Sequence, residues 1–250
     1  MPVVLHALFF GGLCTNGLYC GRKIIMNSLP IYISISFTLT TILTVLFFYM
    51  AAKKATSVLI MLFCWIILQT LLGLANFYTI TNAMPPRLIF LALPALLFIA
   101  LLFITGRGKQ FIDGLDIKYL TILHCIRIPV EIILFWLFTN KAIPQLMTFE
   151  GRNFDILAGL TTPIVYYFGF VKNKLSKPVI LTWNFICLGL LLNIVVNAIL
   201  SAPSPIQQFA FDQPNIAILY FPFNLLPAVV VPLVLLSHLA AIRKLLNKVN

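Results

Sequence analysis

Long apolar runs separated by short polar breaks divide the chain into about seven segments, at residues 31–51, 57–78, 88–105, 118–139, 155–171, 179–200 and 216–241. Each is close to the ~20 residues that an α-helix needs to cross a hydrocarbon layer about 30 Å thick. Inside lipid every backbone N–H and C=O must find its partner within the protein, so runs of this length predict helices. The period-two alternation of an outer-membrane strand is missing from them. The pattern therefore predicts an all-α membrane protein, a bundle of about seven transmembrane helices forming one domain over residues 26–250.

The first 25 residues fit this scheme poorly. The stretch from Val3 to Tyr19 is apolar but interrupted by His6, Gly11, Gly12, Asn16 and Gly17, which makes a weak spanning helix. A signal peptide begins with basic residues ahead of its apolar stretch, whereas Arg22 and Lys23 come after this one. Met26 lies just ahead of a well-formed first span, and residues 1–25 are expected to be an upstream extension.

Composition narrows the class further. Hydrophobic residues make up 61% of the chain and charged residues 9%, against roughly a quarter charged in a soluble domain. The lipid bilayer is therefore the expected partner. A net charge of +11 would raise the question of nucleic acid in a soluble chain. Here the basic residues flank apolar spans, as the positive-inside rule demands, and no aromatic and basic interleaving offers a base-stacking surface. Nucleic-acid binding is not expected.

Lys53, Lys54, Arg107, Lys109, Lys118, Lys172, Lys174, Lys177, Arg243, Lys244 and Lys248 fall on one side of the seven spans, against Arg22, Lys23, Arg87, Lys141 and Arg152 on the other. The first side is predicted to be cytoplasmic, which puts the N-terminus outside and the C-terminus inside. Cys64, Cys125 and Cys187 lie within apolar runs, Cys14 and Cys20 near the start, and none has zinc-ligand spacing. His6 and His238 are far from His124 along the chain. No metal and no cofactor is expected.

Candidate chemistry begins in the fourth span, with His124-Cys-Ile-Arg127-Ile-Pro129-Val-Glu131. Offsets of 0, 3 and 7 residues place His124, Arg127 and Glu131 within about 60° of one another on a helix. A charge at the centre of a membrane helix costs ~2.5–3.5 kcal/mol. Arg127 and Glu131 are therefore expected to pair and to face the bundle interior. Pro129 lacks an N–H for the carbonyl of Cys125, which leaves an acceptor there for a neighbour, water or ligand. The functional reading is a ligand or proton site; the bland one is an ion pair that fixes helix packing.

A second cluster, Glu150, Arg152, Asn153 and Asp155, lies at the start of the fifth span, where it reads either as an outer vestibule or as helix capping by Asn153. Other spans carry narrow polar stripes: Gln69, Gly73 and Asn76; Gly189, Asn193 and Asn197; Tyr220 and Asn224. Taken singly these are the small and amide residues that join membrane helices. Taken together, Gln69, Asn76, Asn193, Asn197 and Asn224 imply a polar interior.

The pattern His124-x-x-Arg127-x-Pro129-Val130-Glu131, followed by Met147-Thr-Phe-Glu150-Gly-Arg152-Asn153-Phe-Asp155-Ile-Leu-Ala-Gly159, resembles an uncharacterised family of small bacterial polytopic membrane proteins. The resemblance covers roughly residues 118–165. It implies the bacterial inner membrane and no particular activity. The leading functional expectation is a transporter or ligand-binding protein for a small solute or ion, built on a buried Arg127 and Glu131 pair. An intramembrane enzyme acting on a lipid or isoprenoid, and a sensor or assembly scaffold, are the alternatives.

Overall fold

The computed structural model describes residues 17–247; residues 1–16 of the expected extension at 1–25, with His6 and Cys14, and Lys248 of the basic tail lie outside them. The described chain is helical: α1 (Gly17–Asn27), α2 (Ile31–Ala51), α3 (Thr56–Leu74), α4 (Ile89–Ile104), α5 (Gly106–Gly114), α6 (Ile117–Ile122), α7 (Arg127–Thr139), α8 (Ile156–Tyr166), α9 (Lys177–Ser201) and α10 (Val231–Asn247). Each of the seven apolar runs coincides with at least one of these helices, and the fourth with two, α6 and α7. Among the described residues five spans are long and apolar enough to cross a membrane, or six if the bent pair α4 and α5 counts as one.

Two local features account for the difference from seven. At Thr105 the backbone turns extended and its hydroxyl accepts from the amide of Gly108 at 3.2 Å, so α5 starts afresh at 95° to α4. A Cβ on Gly108 would run into the backbone of Leu102, so a residue without one permits the tight corner. The fifth run, Ile156–Val171, is a short helix that loosens into a π-turn over Tyr167–Val171 after Pro163.

Proline also reshapes the other two functional stretches. Because Pro129 offers no N–H and crowds the carbonyl one turn earlier, the fourth span is broken into α6, a 3-10 stretch at Leu123–Ile126, and α7. It remains one 23-residue span. The last span, expected from residue 216, begins at Leu226, as a π-turn leading into α10. Ile216–Leu225, with Pro222 inside it, is irregular chain, buried except at Phe221, so Tyr220 and Asn224 precede the helix instead of forming a stripe on it.

Buried irregular backbone must find partners from elsewhere. The amides of Ile216 and Ala217 both donate to the carbonyl of Ala142 at 3.1 Å, and Gln213 Nε2 donates to that of Ile143 at 2.5 Å. Pro232 cannot serve the carbonyl of Ala228, four residues before it. The indole N–H of Trp65, on α3, donates to that carbonyl at 2.9 Å.

Burial separates an inner pair of spans from an outer set. In the span of α10, 72% of the apolar window is buried, and in that of α6 and α7, 61%; in those of α2, α3 and α9 the share is 22–33%. The outer helices show one face to the interior. On α2 that face is Ile33, Phe37, Thr40, Thr44 and Phe48, spaced three or four apart, while Ile31, Ile35, Leu39, Ile42 and Leu46 are exposed. Such an apolar outer surface fits acyl chains. The hydroxyls of Thr40, Thr41 and Thr44 bond to carbonyls one turn back, so they bring no unmet polar group to the interface.

At one end of the bundle Arg243 pairs with Asp113 at 3.0 Å, and Lys244 donates to the carbonyls of Asp113 and Leu115, which ties α10 to α5. The amide of Asp116 reaches the carbonyl of Ala51 at 2.8 Å, joining the start of α6 to the end of α2.

Trp65→Phe keeps the ring and removes the donor to Ala228. It is expected to cost about 1–2 kcal/mol, the penalty of a buried carbonyl left unsatisfied, visible as a lower melting temperature in detergent. A variant as stable as the parent would show that this carbonyl has another partner.

Candidate functional site

The site forms where α8 lies across the break between α6 and α7. Gly159 makes this possible: a Cβ there would stand 2.8 Å from Ile128 Cγ1 and 3.0 Å from the Ile128 amide nitrogen. A small residue lets the two backbones approach closely, and Asp155, one turn before Gly159, is carried alongside Arg127. Arg127 Nε lies 3.2 Å from Asp155 Oδ2. The contact is an ion pair whose N–H is not aligned for a hydrogen bond. The two terminal guanidinium nitrogens each donate to the carbonyl of Cys187 on α9, at 3.3 Å.

The expected pairing of Arg127 with Glu131 is thereby replaced. Glu131 Oε1 accepts instead from Asn153 Nδ2 at 2.6 Å. Asn153 is wholly buried and bonds in three directions: to Glu131, to the carbonyl of Met147 at 3.0 Å, and, through its Oδ1, from the amide of Asp155 at 3.0 Å. It thus orders the loop end that delivers Asp155. Arg127, Glu131 and Asp155 are each at most 6% exposed, which makes solvent an ineffective partner for any of them.

Glu150 and Arg152 stand apart from this cluster. Both are exposed, and the Arg152 guanidinium sits 5.9 Å from the centre of the Phe209 ring. The short link Glu150–Asn153 therefore divides in two, its start at the surface and its end in the interior. The polar-interior expectation also divides. Gln69, Asn197 and Asn224 are buried; Asn193 is exposed and donates to the carbonyl of Arg152 at 2.9 Å. Asn76 is half-buried at the end of α3, in the left-handed conformation at φ 54° that asparagine tolerates.

Gln69 accepts from the Tyr78 hydroxyl at 2.6 Å, and Asn224 donates to the Gln69 carbonyl at 2.8 Å, so these residues join α3 to the chain before α10. Burial pushes the Tyr78 phenol up to about 12, against the smaller opposing pull of its bond to Gln69. It stays a donor throughout the physiological range.

His238, far from His124 in sequence, lies directly against it. The rings stack with centroids 3.8 Å apart and planes 12° from parallel, and both residues are fully buried. His238 Nδ1 is 2.9 Å from Asn184 Oδ1 on α9, and the rings of Trp183 and His124 meet in a T-shaped contact with centroids 5.7 Å apart. The other three ring nitrogens of the pair have no hydrogen-bond partner. The sequence does not mark His238, Asn184 and Trp183 as neighbours of His124. Their only signal is the presence of a polar side chain deep in an apolar run. Among the described residues no group of three or more His, Cys, Asp or Glu side chains is arranged to hold a metal ion.

Beside the cluster lies a cavity of about 380 Å³ bounded by α4, α7, α9 and the chain leading into α10. Its wall is apolar except for Glu131, Asp155 and Asn215. Each of these three keeps one buried oxygen without a partner: Glu131 Oε2, Asp155 Oδ1 and Asn215 Oδ1. A larger cavity of about 560 Å³ between α3, α4 and α10 has no charged residue in its wall.

The family described as Domain of unknown function (DUF8737) matches residues 84–246. No curated protein and no solved structure matches the chain.

Asp155→Asn is expected to cost about 3 kcal/mol or more, because it strips the ionic partner from a buried guanidinium. Glu131→Gln keeps an acceptor for Asn153 and is expected to cost less than about 1 kcal/mol. Thermal unfolding in detergent measures both, and the opposite order would contradict the pairing of Arg127 with Asp155.

Proposed function

We propose that this chain, which belongs to the DUF8737 family, is a membrane protein that binds, and by extension transports, a small molecule held in the cavity walled by Glu131 and Asp155. The observation that supports this reading most is the wall itself: an apolar chamber of ligand size whose few polar groups all carry unsatisfied acceptors. Unpaired buried acceptors cost free energy that a donor entering the chamber would recover. The buried ion pair of Arg127 and Asp155 holds the chamber's polar corner in place, and the cluster of Glu150 and Arg152 is the outer loop above it.

If the bent helix α4 and the short helix α8 are counted as crossings, the bundle has seven, with residues 26–250 as its single domain. The basic ends then face the cytoplasm of a bacterial inner membrane. An intramembrane enzyme is supported less, because Glu150 is at the surface and does not share a site with Asp155.

Ala92 lines the cavity from α4, and Ala92→Phe fills part of it. Native mass spectrometry of gently extracted protein is expected to show a small-molecule adduct on the parent chain and none on Ala92→Phe, with the melting temperature of the variant held or raised. Identical spectra carrying bulk lipid alone would overturn the reading.

A further inference from the structure

The sign of charge in the cavity wall sets what it will accept. Among the described residues that line it, Glu131 and Asp155 are acidic, Asn215 is neutral, and none is basic. Arg127, the cation of the cluster, is not part of the wall, and its guanidinium is engaged by Asp155 and the Cys187 carbonyl. All three unpartnered polar atoms of the lining residues are oxygens. An anionic ligand would meet two acidic side chains and no cation. A neutral lipid tail would leave the acceptors as they are.

The charge inventory points the same way. One guanidinium faces two carboxyl groups, and Asp155 takes it in the ion pair. Glu131 has a neutral amide, Asn153, as its hydrogen-bond partner. The charged groups that face it are Asp155, at the N-terminus of α8, and Arg127, one turn back on its own helix. In an environment where an uncompensated charge is costly, the surplus negative charge has to be balanced by a proton or another cation.

We propose that the ligand of this cavity is an amphiphilic monocation, an ammonium head on an apolar body, bound in exchange for one proton at Glu131. The proposal rests on the cavity being the ligand site. The step balances: the protonated carboxyl of Glu131 gives its proton to water, the ammonium ion takes its place as counter-charge, and no covalent bond to carbon forms or breaks. The ammonium head takes the acidic end of the cavity, with Glu131 and Asp155, while the tail lies along Leu134, Leu191, Ile194 and Phe223.

Decylammonium, decanol and decanoate share one tail and differ in head charge. Their binding to the full chain in phosphatidylcholine nanodiscs, with empty nanodiscs as the partition blank, tests the assignment. Decylammonium is expected to bind saturably, at least tenfold more tightly than decanol or decanoate, and to release about one proton per molecule bound in weakly buffered solution. Glu131→Gln should abolish both the preference and the proton release, while Glu131→Asp, which keeps a carboxyl, should restore the release. Equal binding of decanol or tighter binding of decanoate overturns the cationic class and leaves a ligand site standing. If no probe binds, the cationic class falls, and the adduct lost in Ala92→Phe then decides separately whether the cavity is a ligand site. Saturable binding of decylammonium with no proton released overturns the exchange at Glu131.

Discussion

A guanidinium held at membrane depth needs a counter-charge, and the rest of the site is arranged around meeting that need. Arg127 is 2% exposed, so water is no substitute for Asp155. For Asp155 to arrive, α8 must cross α7 closely, which Gly159 permits, and the chain entering α8 must be held, which Asn153 does through three hydrogen bonds. The same asparagine occupies one oxygen of Glu131. One amide side chain thereby assigns two carboxyl groups different tasks: one is bound to the cation, the other is left with a neutral partner.

Proline has a comparable influence on the inner spans. Pro129 breaks the fourth span and Pro232 frees the carbonyl of Ala228. These interruptions would be costly against lipid, and they occur in the two most buried spans. There neighbouring side chains can repair them, as Trp65 does for Ala228, and irregular chain such as Ile216–Leu225 can line a cavity. The outer helices α2, α3 and α9 contain no proline inside their membrane-exposed turns beyond Pro178 at the start of α9, where no intrahelical bond is lost.

Much of the site is legible in the sequence. His124, Arg127, Glu131, Asn153 and Asp155 all fall in one stretch of about thirty residues, and intramembrane charge marks them because its cost is so high. The pairing among them is not legible there. Residues 127 and 131 satisfy the helical i, i+4 rule, yet that local contact yields to a partner on another helix. His238 and Asn184 escape notice as neighbours of His124 for the same reason: sequence separation carries no information about which faces of α9 and α10 turn toward the fourth span.

From the order of its residues alone, this chain is committed to lipid and to helices, because composition and run length decide solvent and backbone hydrogen bonding segment by segment. Which carboxyl receives the guanidinium, which histidines stack, and which acidic residues line a cavity are settled only by the folded arrangement. Those outcomes depend on close approach between distant segments at low dielectric, where a shift of one helix by a few ångströms exchanges one ionic partner for another.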